Sequence, residues 1–310
     1  MKKIEILRIE SLSRAPLVIE GFFFKGTDPK APSLAIVGAM DGDAILPLYC
    51  ASSMVDFFKN QIDKEKIKGD ILIIPSINHY ALNINERFWP LDKTDLNMMF
   101  PGYDQGETTQ RIAQKVFSAI QGYTYGINLE RRRDPSNCLP HVKLFKSGYE
   151  DLEGAKRFGF KVVHHSELRS IDTVTLQYNW QLWETKAYSI VCPIDNLVDS
   201  NISNQINQAM LRFMDRSGVI DYKVFNAYES SVITKSNLKI VKAKKSGIFI
   251  PKEIVGNYVT KGQVIGQIID SLQGNVINEV IASCDGMITC CFNNALILEN
   301  AVAFRIAKLR

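Results

Sequence analysis

The chain has 310 residues, 37 basic and 33 acidic for a net charge of +4, with 46% hydrophobic and 23% charged residues. That composition belongs to a globular protein able to bury one large core or two ordinary ones, and it excludes collagen-like and disordered classes. The basic excess is spread along the chain rather than gathered in a tail, which argues against a nucleic-acid partner, and no apolar run is long enough to span a membrane.

Residues 1–8 interleave Lys2, Lys3, Glu5 and Arg8 with apolar positions, unlike the unbroken apolar region of a secretion signal. The six cysteines have no C-x-x-C spacing, so a reducing cytoplasm is the expected compartment. The apolar run 34–37 predicts a buried strand, 45–60 a helix, 71–75 a strand, 108–121 an amphipathic helix and 125–129 another strand. Runs 161–163 and 187–191 add strands, and 203–217, with Ile206, Met210, Leu211 and Phe213 on one stripe, reads as a closing helix. This alternation predicts an α/β sheet with helices on both faces. From about residue 221 short β-like runs at 248–250, 258–259, 264–269, 276–281, 287–289 and 302–306 are parted by glycine turns. They predict a small β-domain of sandwich or barrel type. The expected division is an α/β domain over 1–225 and a β-rich domain over 226–310.

The loop after the first predicted strand reads Gly38-Ala39-Met40-Asp41-Gly42-Asp43-Ala44. Active sites of open α/β sheets lie at such strand-to-helix junctions. The phrase resembles the first metal-binding motif of the succinylglutamate desuccinylase/aspartoacylase family, relatives of the zinc carboxypeptidases, where it reads Gly-x-x-His-Gly-Asp/Asn-Glu. Asp41 stands at the histidine and Ala44 at the glutamate. Arg87, followed by Asp95-Leu96-Asn97-Met98-Met99-Phe100-Pro101-Gly102, resembles the family's arginine and Asp-Leu-Asn-Arg-x-Phe-Pro-Gly, the loop that binds the substrate carboxylate. Met98 replaces an arginine there, removing a planar two-bond donor. Asn128-Leu129-Glu130 falls at the family's Asp-Leu-His, its third zinc ligand, and 137–143 (Asn-Cys-Leu-Pro-His-Val-Lys) resembles Asn-x-Pro-His-x-Arg. The general-base phrase, Ala-x-Thr-x-Glu-x-Gly, is best matched by 187–193, which puts Val191, or Cys192 with a one-residue slip, at the base.

The order of these phrases extends the resemblance over most of the chain. Residues 256–266 with Asp285-Gly286-Met287-Ile288 look like a biotinyl/lipoyl-type sandwich half, without the hairpin lysine that such carriers modify. The resemblance implies a zinc-carboxypeptidase-like mixed sheet with helices on both faces, a C-terminal sandwich or barrel, and a deacylase cleaving C–N amide bonds with zinc. It assigns substrate binding to Arg87, Asn97 and His141. A catalytic zinc needs three protein ligands and an open position, whereas Asp41, Ala44 and Glu130 offer two oxygen donors. Neither Val191 nor Cys192 can act as the proton acceptor.

The expectation is therefore a degenerate member, a pseudoenzyme with no metal and no catalytic residue. It would be a binding or regulatory partner that keeps a small-molecule or peptide cleft and works beside an active paralogue or as a homo-oligomer. The competing expectation is a hydrolase of N-acyl amino acids or peptides. Its rebuilt site would draw on Asp41, Asp43, Glu130, His141 and Cys138, with a harder divalent ion at Asp41, Asp43 and Glu130. Plainer readings stand beside these. Asp41 and Asp43 would cap the helix near Ile45; Cys138 and Cys192 would be buried apolar residues; and His164 and His165, neighbours on a strand, would face opposite sides and share no metal. For Arg131, Arg132 and Arg133 two readings are open: an anion pocket with Arg87 and Asn97, or surface pairs with Glu130 and Asp134.

Overall fold

The structure is a computed structural model and describes residues 1–13, 15–193, 198–225 and 227–308. Asn226, where the second domain was expected to begin, lies outside them. Up to residue 233 the strands are β1 (Lys2–Ile9), β2 (Leu17–Phe24), β3 (Leu34–Ala39), β4 (Ile71–Ser76), β5 (Tyr125–Arg131), β6 (Ser136–Cys138), β7 (His141–Lys146), β8 (Val162–Glu167), β9 (Lys186–Cys192) and β10 (Ser231–Ile233). The α-helices are α1 (Ile45–Asp56), α2 (His79–Asn83), α3 (Thr108–Ile120), α4 (Leu152–Lys156), α5 (Leu176–Leu182) and α6 (Ser200–Arg216). The helix expected over 45–60 is α1 followed by a wider turn at Phe57–Gln61.

Nine strands form one mixed sheet in the order β1-β2-β4-β3-β5-β9-β7-β8-β10. β4, β3, β5 and β9 run parallel, β7 turns back antiparallel to β9, and β8 and β10 follow β7. β3 and β4 are almost unbroken apolar runs because both of their faces are covered. Alternate residues serve the two faces. Leu34, Ile36, Ile71 and Ile73 pack with Leu46, Met54, Met210 and Phe213 of α1 and α6. Ala35, Val37, Leu72 and Ile74 pack with Ile112, Val116, Phe117 and Trp180 of α3 and α5. α3 begins where the Gln110 side chain accepts from the Glu107 amide at 3.2 Å, and α6 where Asp199 accepts from the amides of Asn201 and Ile202 at 2.7 and 3.2 Å. Among the described residues no helix is long and apolar enough to cross a membrane.

The C-terminal strands are β11 (Leu238–Lys242), β12 (Gly247–Pro251), β13 (Tyr258–Val259), β14 (Val264–Ile269), β15 (Val276–Ile281), β16 (Gly286–Phe292), β17 (Leu296–Ile297) and β18 (Val302–Ala307). They make a sheet in the order β11-β18-β16-β13, with β6 added on β16, and a sheet in the order β15-β14-β12-β17. Phe249, Ile265 and Ile268 from one sheet and Ile288, Phe304 and Ile306 from the other share one apolar cluster. The two parts of the chain exchange strands. β10 lies past residue 225 yet extends the large sheet, and β6 leaves the first part of the chain to pair with β16.

Trp180 ties α5 to β5 and α3. Its ring is fully buried, its indole N–H donates to the Ile120 carbonyl at 3.2 Å, and it lies where a Cβ on Gly126 would come within 2.7 Å. Trp180→Ala is expected to cost about 3–5 kcal/mol, read from urea unfolding. A loss below about 1 kcal/mol would show that this contact does not hold the helix layer.

Candidate functional site

The parallel strands β3, β5 and β9 end on one edge of the large sheet, and the matched motifs gather there. Asp41, Asp43 and Ala44 follow β3, Glu130 and Arg131 end β5, and Val191 and Cys192 end β9. β7, lying antiparallel to β9, sets His141 opposite Val191 and Lys143 opposite Ser189. The segment 84–101 adds Arg87, Asp95 and Asn97.

Every carboxylate at this edge faces a cation. Lys143 Nζ lies 2.5 Å from Glu130 Oε2, while Glu130 Oε1 accepts from Ser189 Oγ at 2.7 Å and from Asn128 Nδ2 at 2.9 Å. Burial alone would raise the Glu130 carboxyl. The Lys143 charge and hydrogen bond, with Arg133 and Ser189, more than offset it and hold the group below the usual carboxylate range. Arg131 Nη1 is 2.9 Å from Asp43 Oδ2; Arg87 is 2.9 Å from Asp95 and 3.8 Å from Asp41; and Arg133 is 3.6 Å from Asp95. Burial first, and the Asp95 charge second, push Asp41 up to about 7.

Several expectations change here. Asp41 and Asp43 do not cap α1: Ala44 is its N-cap residue, without a side-chain cap, because the carboxylates turn to Arg87 and Arg131. The three arginines do not pair with Glu130. Arg131 takes Asp43, Arg132 takes Asp134 at 2.6 Å, Arg133 stands by Asp95, and Lys143 takes Glu130. Lys143 and Asp95 join the site as the partners of Glu130 and of Arg87 and Arg133. Nothing local signals the Glu130–Lys143 pair, 13 residues apart, which the β5–β9 and β9–β7 registers together close.

A divalent ion does not fit these residues. Ala44 has no donor atom, Asp43 and Glu130 already answer Arg131 and Lys143, and Asp41 lies 3.8 Å from Arg87; these fixed charges would repel a metal. No group of three or more His, Cys, Asp or Glu side chains able to hold an ion occurs among the described residues. The recess bounded by Asp41, Ala44, Asn97, Glu130 and Arg133 is about 10 Å³, room for about one water.

Beyond it opens a cleft of about 700 Å³ between the edge of the large sheet and the C-terminal strands, bordered by Asn97, Glu130, Arg133, His141, Lys143 and Arg305. Asn97 is buried, its side-chain oxygen accepting from the Leu176 amide at 3.2 Å, so part of it positions α5. His141 Nδ1 sits 2.8 Å from the Leu139 carbonyl, which places the proton on Nδ1 and leaves Nε2 an acceptor. Burial, then the neighbouring His164, push His141 down to about 3, so the ring is neutral at physiological pH. His164 lies 6.1 Å from the His141 ring, whereas His165 Nε2 bonds Glu150 at 3.0 Å, so the adjacent histidines do face apart. Burial pushes the Cys138 thiol up to about 12 and Cys192 well above the usual thiol value. Burial therefore opposes thiolate formation at both. Val191 is buried beside Cys138 and offers no proton acceptor.

Residues 30–160 match the model of the Succinylglutamate desuccinylase/Aspartoacylase catalytic domain. Over 84 residues the chain is 27% identical to the N-alpha-acetyl-L-2,4-diaminobutyric acid deacetylase of Halomonas elongata; the match spans 27% of this chain and 23% of that protein. The fold is similar to a succinylglutamate desuccinylase/aspartoacylase crystal structure from Rhodobacter sphaeroides, with TM-score 0.77, 16% identity, and 96% of this chain and 90% of that one covered. It is similar also to the product-bound ectoine utilization protein EutE (DoeB) of Ruegeria pomeroyi, with TM-score 0.78, 15% identity and 98% and 94% covered. The large mixed α/β sheet is thus the fold these structures share.

Removing one member of a buried ion pair leaves the other charge unanswered. Lys143→Met is expected to cost about 3 kcal/mol or more by denaturant unfolding, and Lys143→Met with Glu130→Gln to recover most of it. A double variant as unstable as the sum of the single ones would contradict the pairing.

Proposed function

We propose, from the premise that residues 30–160 make this chain a member of the succinylglutamate desuccinylase/aspartoacylase family, that it binds a carboxylate-bearing N-acyl amino acid or short peptide without zinc-dependent hydrolysis. The observation that carries this reading is the state of the metal-ligand positions: Ala44 has no donor, Glu130 is held by Lys143, and Asp41, 3.8 Å from Arg87, is pushed by burial toward its neutral form. Ligand binding moves to the adjoining 700 Å³ cleft. Arg133 stands 3.6 Å from Asp95, beyond hydrogen-bond length, and offers its guanidinium to a ligand carboxylate. The neutral His141 ring offers an acceptor to a ligand N–H. Arg87 acts through Asp95 and Asn97 through α5, so both shape the cleft more than they touch its occupant. Without turnover, the role is that of a binding or regulatory partner, beside an active paralogue or as a second copy of itself. Unpaired, buried cysteines support the cytoplasm as its compartment.

A second reading is hydrolysis of the same ligand class through Asp41, Asp43, Glu130 and His141. The family itself and the deacetylase activity in the Halomonas relative's name support it. It requires the three ion pairs to open and a proton acceptor to replace the missing glutamate.

Calorimetric titration with a panel of acidic and basic N-acetyl amino acids, followed by mass spectrometry of the recovered ligand, separates the two. Binding is expected with and without added zinc, the ligand is recovered intact, and Arg133→Gln weakens affinity about tenfold or more. Release of acetate that a chelator abolishes would overturn the proposal in favour of the hydrolase.

A further inference from the structure

β6 and β16 pair in the register Ser136 with Phe292, Asn137 with Cys291 and Cys138 with Cys290. The amides of Leu139 and Asn293 donate to the carbonyls of Thr289 and Pro135 at 3.3 and 3.0 Å, which makes 139/289 and 135/293 hydrogen-bonded pairs. Such pairs alternate along an antiparallel ladder, so Asn137 and Cys291 form the next one and Cys138 and Cys290 fall in the non-hydrogen-bonded position between. Facing residues there have Cα atoms about 4.5 Å apart and side chains on one face of the sheet, and a disulfide spans Cα separations of about 4.4–6.8 Å. The two cysteines pack in one buried cluster with Val191, and Cys290 also borders the large cleft, which gives a small oxidant its approach.

We propose that Cys138 and Cys290 form a dithiol site that a low-molecular-weight disulfide closes into a cross-strand bond, tying the segment between β5 and β7 to β16 at the floor of the cleft. The Cys290 thiolate attacks one sulfur of the external disulfide and releases a thiolate. The Cys138 thiolate then attacks the Cys290 sulfur of the mixed disulfide and expels the second half. Two protein thiols are oxidised, one external disulfide is reduced to two thiols, and the two protein protons pass through water to the departing thiolates. Burial opposes ionisation of Cys138, while the Arg132 charge favours it, so closure is slow at neutral pH and quickens as pH rises. The bond fixes the wall that carries Leu139 and His141 against Thr289 and Cys290, all of which border the cleft. The inference is independent of what the cleft binds.

The test is incubation of the native full chain with oxidised glutathione over a series of pH values, then alkylation, intact mass and digestion without reduction. Alkylated under denaturing conditions, the oxidised chain is expected to carry two alkyl groups fewer than the untreated one and to yield a linked peptide pair containing Cys138 and Cys290; the link forms at a rate that rises with pH and is reversed by dithiothreitol. Cys138→Ser and Cys290→Ser should each abolish the link. A stable glutathione adduct on Cys290 that Cys138 does not resolve, a link through Cys291 or Cys284, or no loss of alkyl groups at any pH would each overturn it; all three are read on the unaltered chain.

Discussion

A carboxylate buried at the end of β5 must be answered by positive charge, and at Glu130 that charge is the ammonium of Lys143 rather than an ion. Desolvation would drive the group neutral, but Lys143, Ser189 and Asn128 keep it ionised. The neighbouring pairs repeat the arrangement: Arg131 on Asp43, Arg87 on Asp95 and near Asp41, Arg133 near Asp95. Each pair fixes a side chain that would otherwise be available to a metal, and together they leave about 10 Å³ among them.

The fold makes this edge consequential whatever sits in it. Parallel strands β3, β5 and β9 deliver their C-terminal ends to one line, where loops of α/β proteins carry their chemistry. β7, returning antiparallel, brings His141 and Lys143 into that line, and β6 crosses to the C-terminal sheet, so the cleft is walled by both parts of the chain. Its lining is cationic but not unsatisfied. Arg132 and Arg305 both meet Asp134, which leaves Arg133 the arginine with the loosest partner. A ligand that presents a carboxylate to Arg133 and a donor to the neutral His141 fits that distribution of charge.

Elements with a clear apolar run or stripe were legible in the sequence, including the partly exposed C-terminal strands β13, β14 and β15, whose bounds glycine turns mark. β3, β4, β5 and β9 are apolar runs, and α3 and α6 carry a clear stripe, so all six stood out. β1 has no such run, because one of its faces is exposed and charged, with Lys3 reaching Glu20 across the pair. β6 has three residues and a partner about 150 positions away, a non-local pairing that no window of sequence displays. α5 carries no clean apolar period because Gln177, Asn179 and Gln181, polar yet buried, interrupt the pattern; each of them bonds a backbone carbonyl, those of Lys143, Phe100 and Ala187 among them. At the site, Asp41, Ala44, Glu130 and Val191 could be placed by their phrases, whereas their partners could not: charge pairing here follows strand register, not spacing.

The account stands on fixed protein cations occupying the place of a Lewis-acidic ion. Equilibrium dialysis of the purified chain against zinc, followed by elemental analysis of protein and dialysate, tests that claim most directly. Zinc well below one equivalent per chain, at concentrations that saturate an ordinary catalytic zinc site, is the predicted result. Roughly one tightly held zinc per chain, displaced by neither dilution nor salt, would mean that the ion pairs open to admit a metal, and the account would fail.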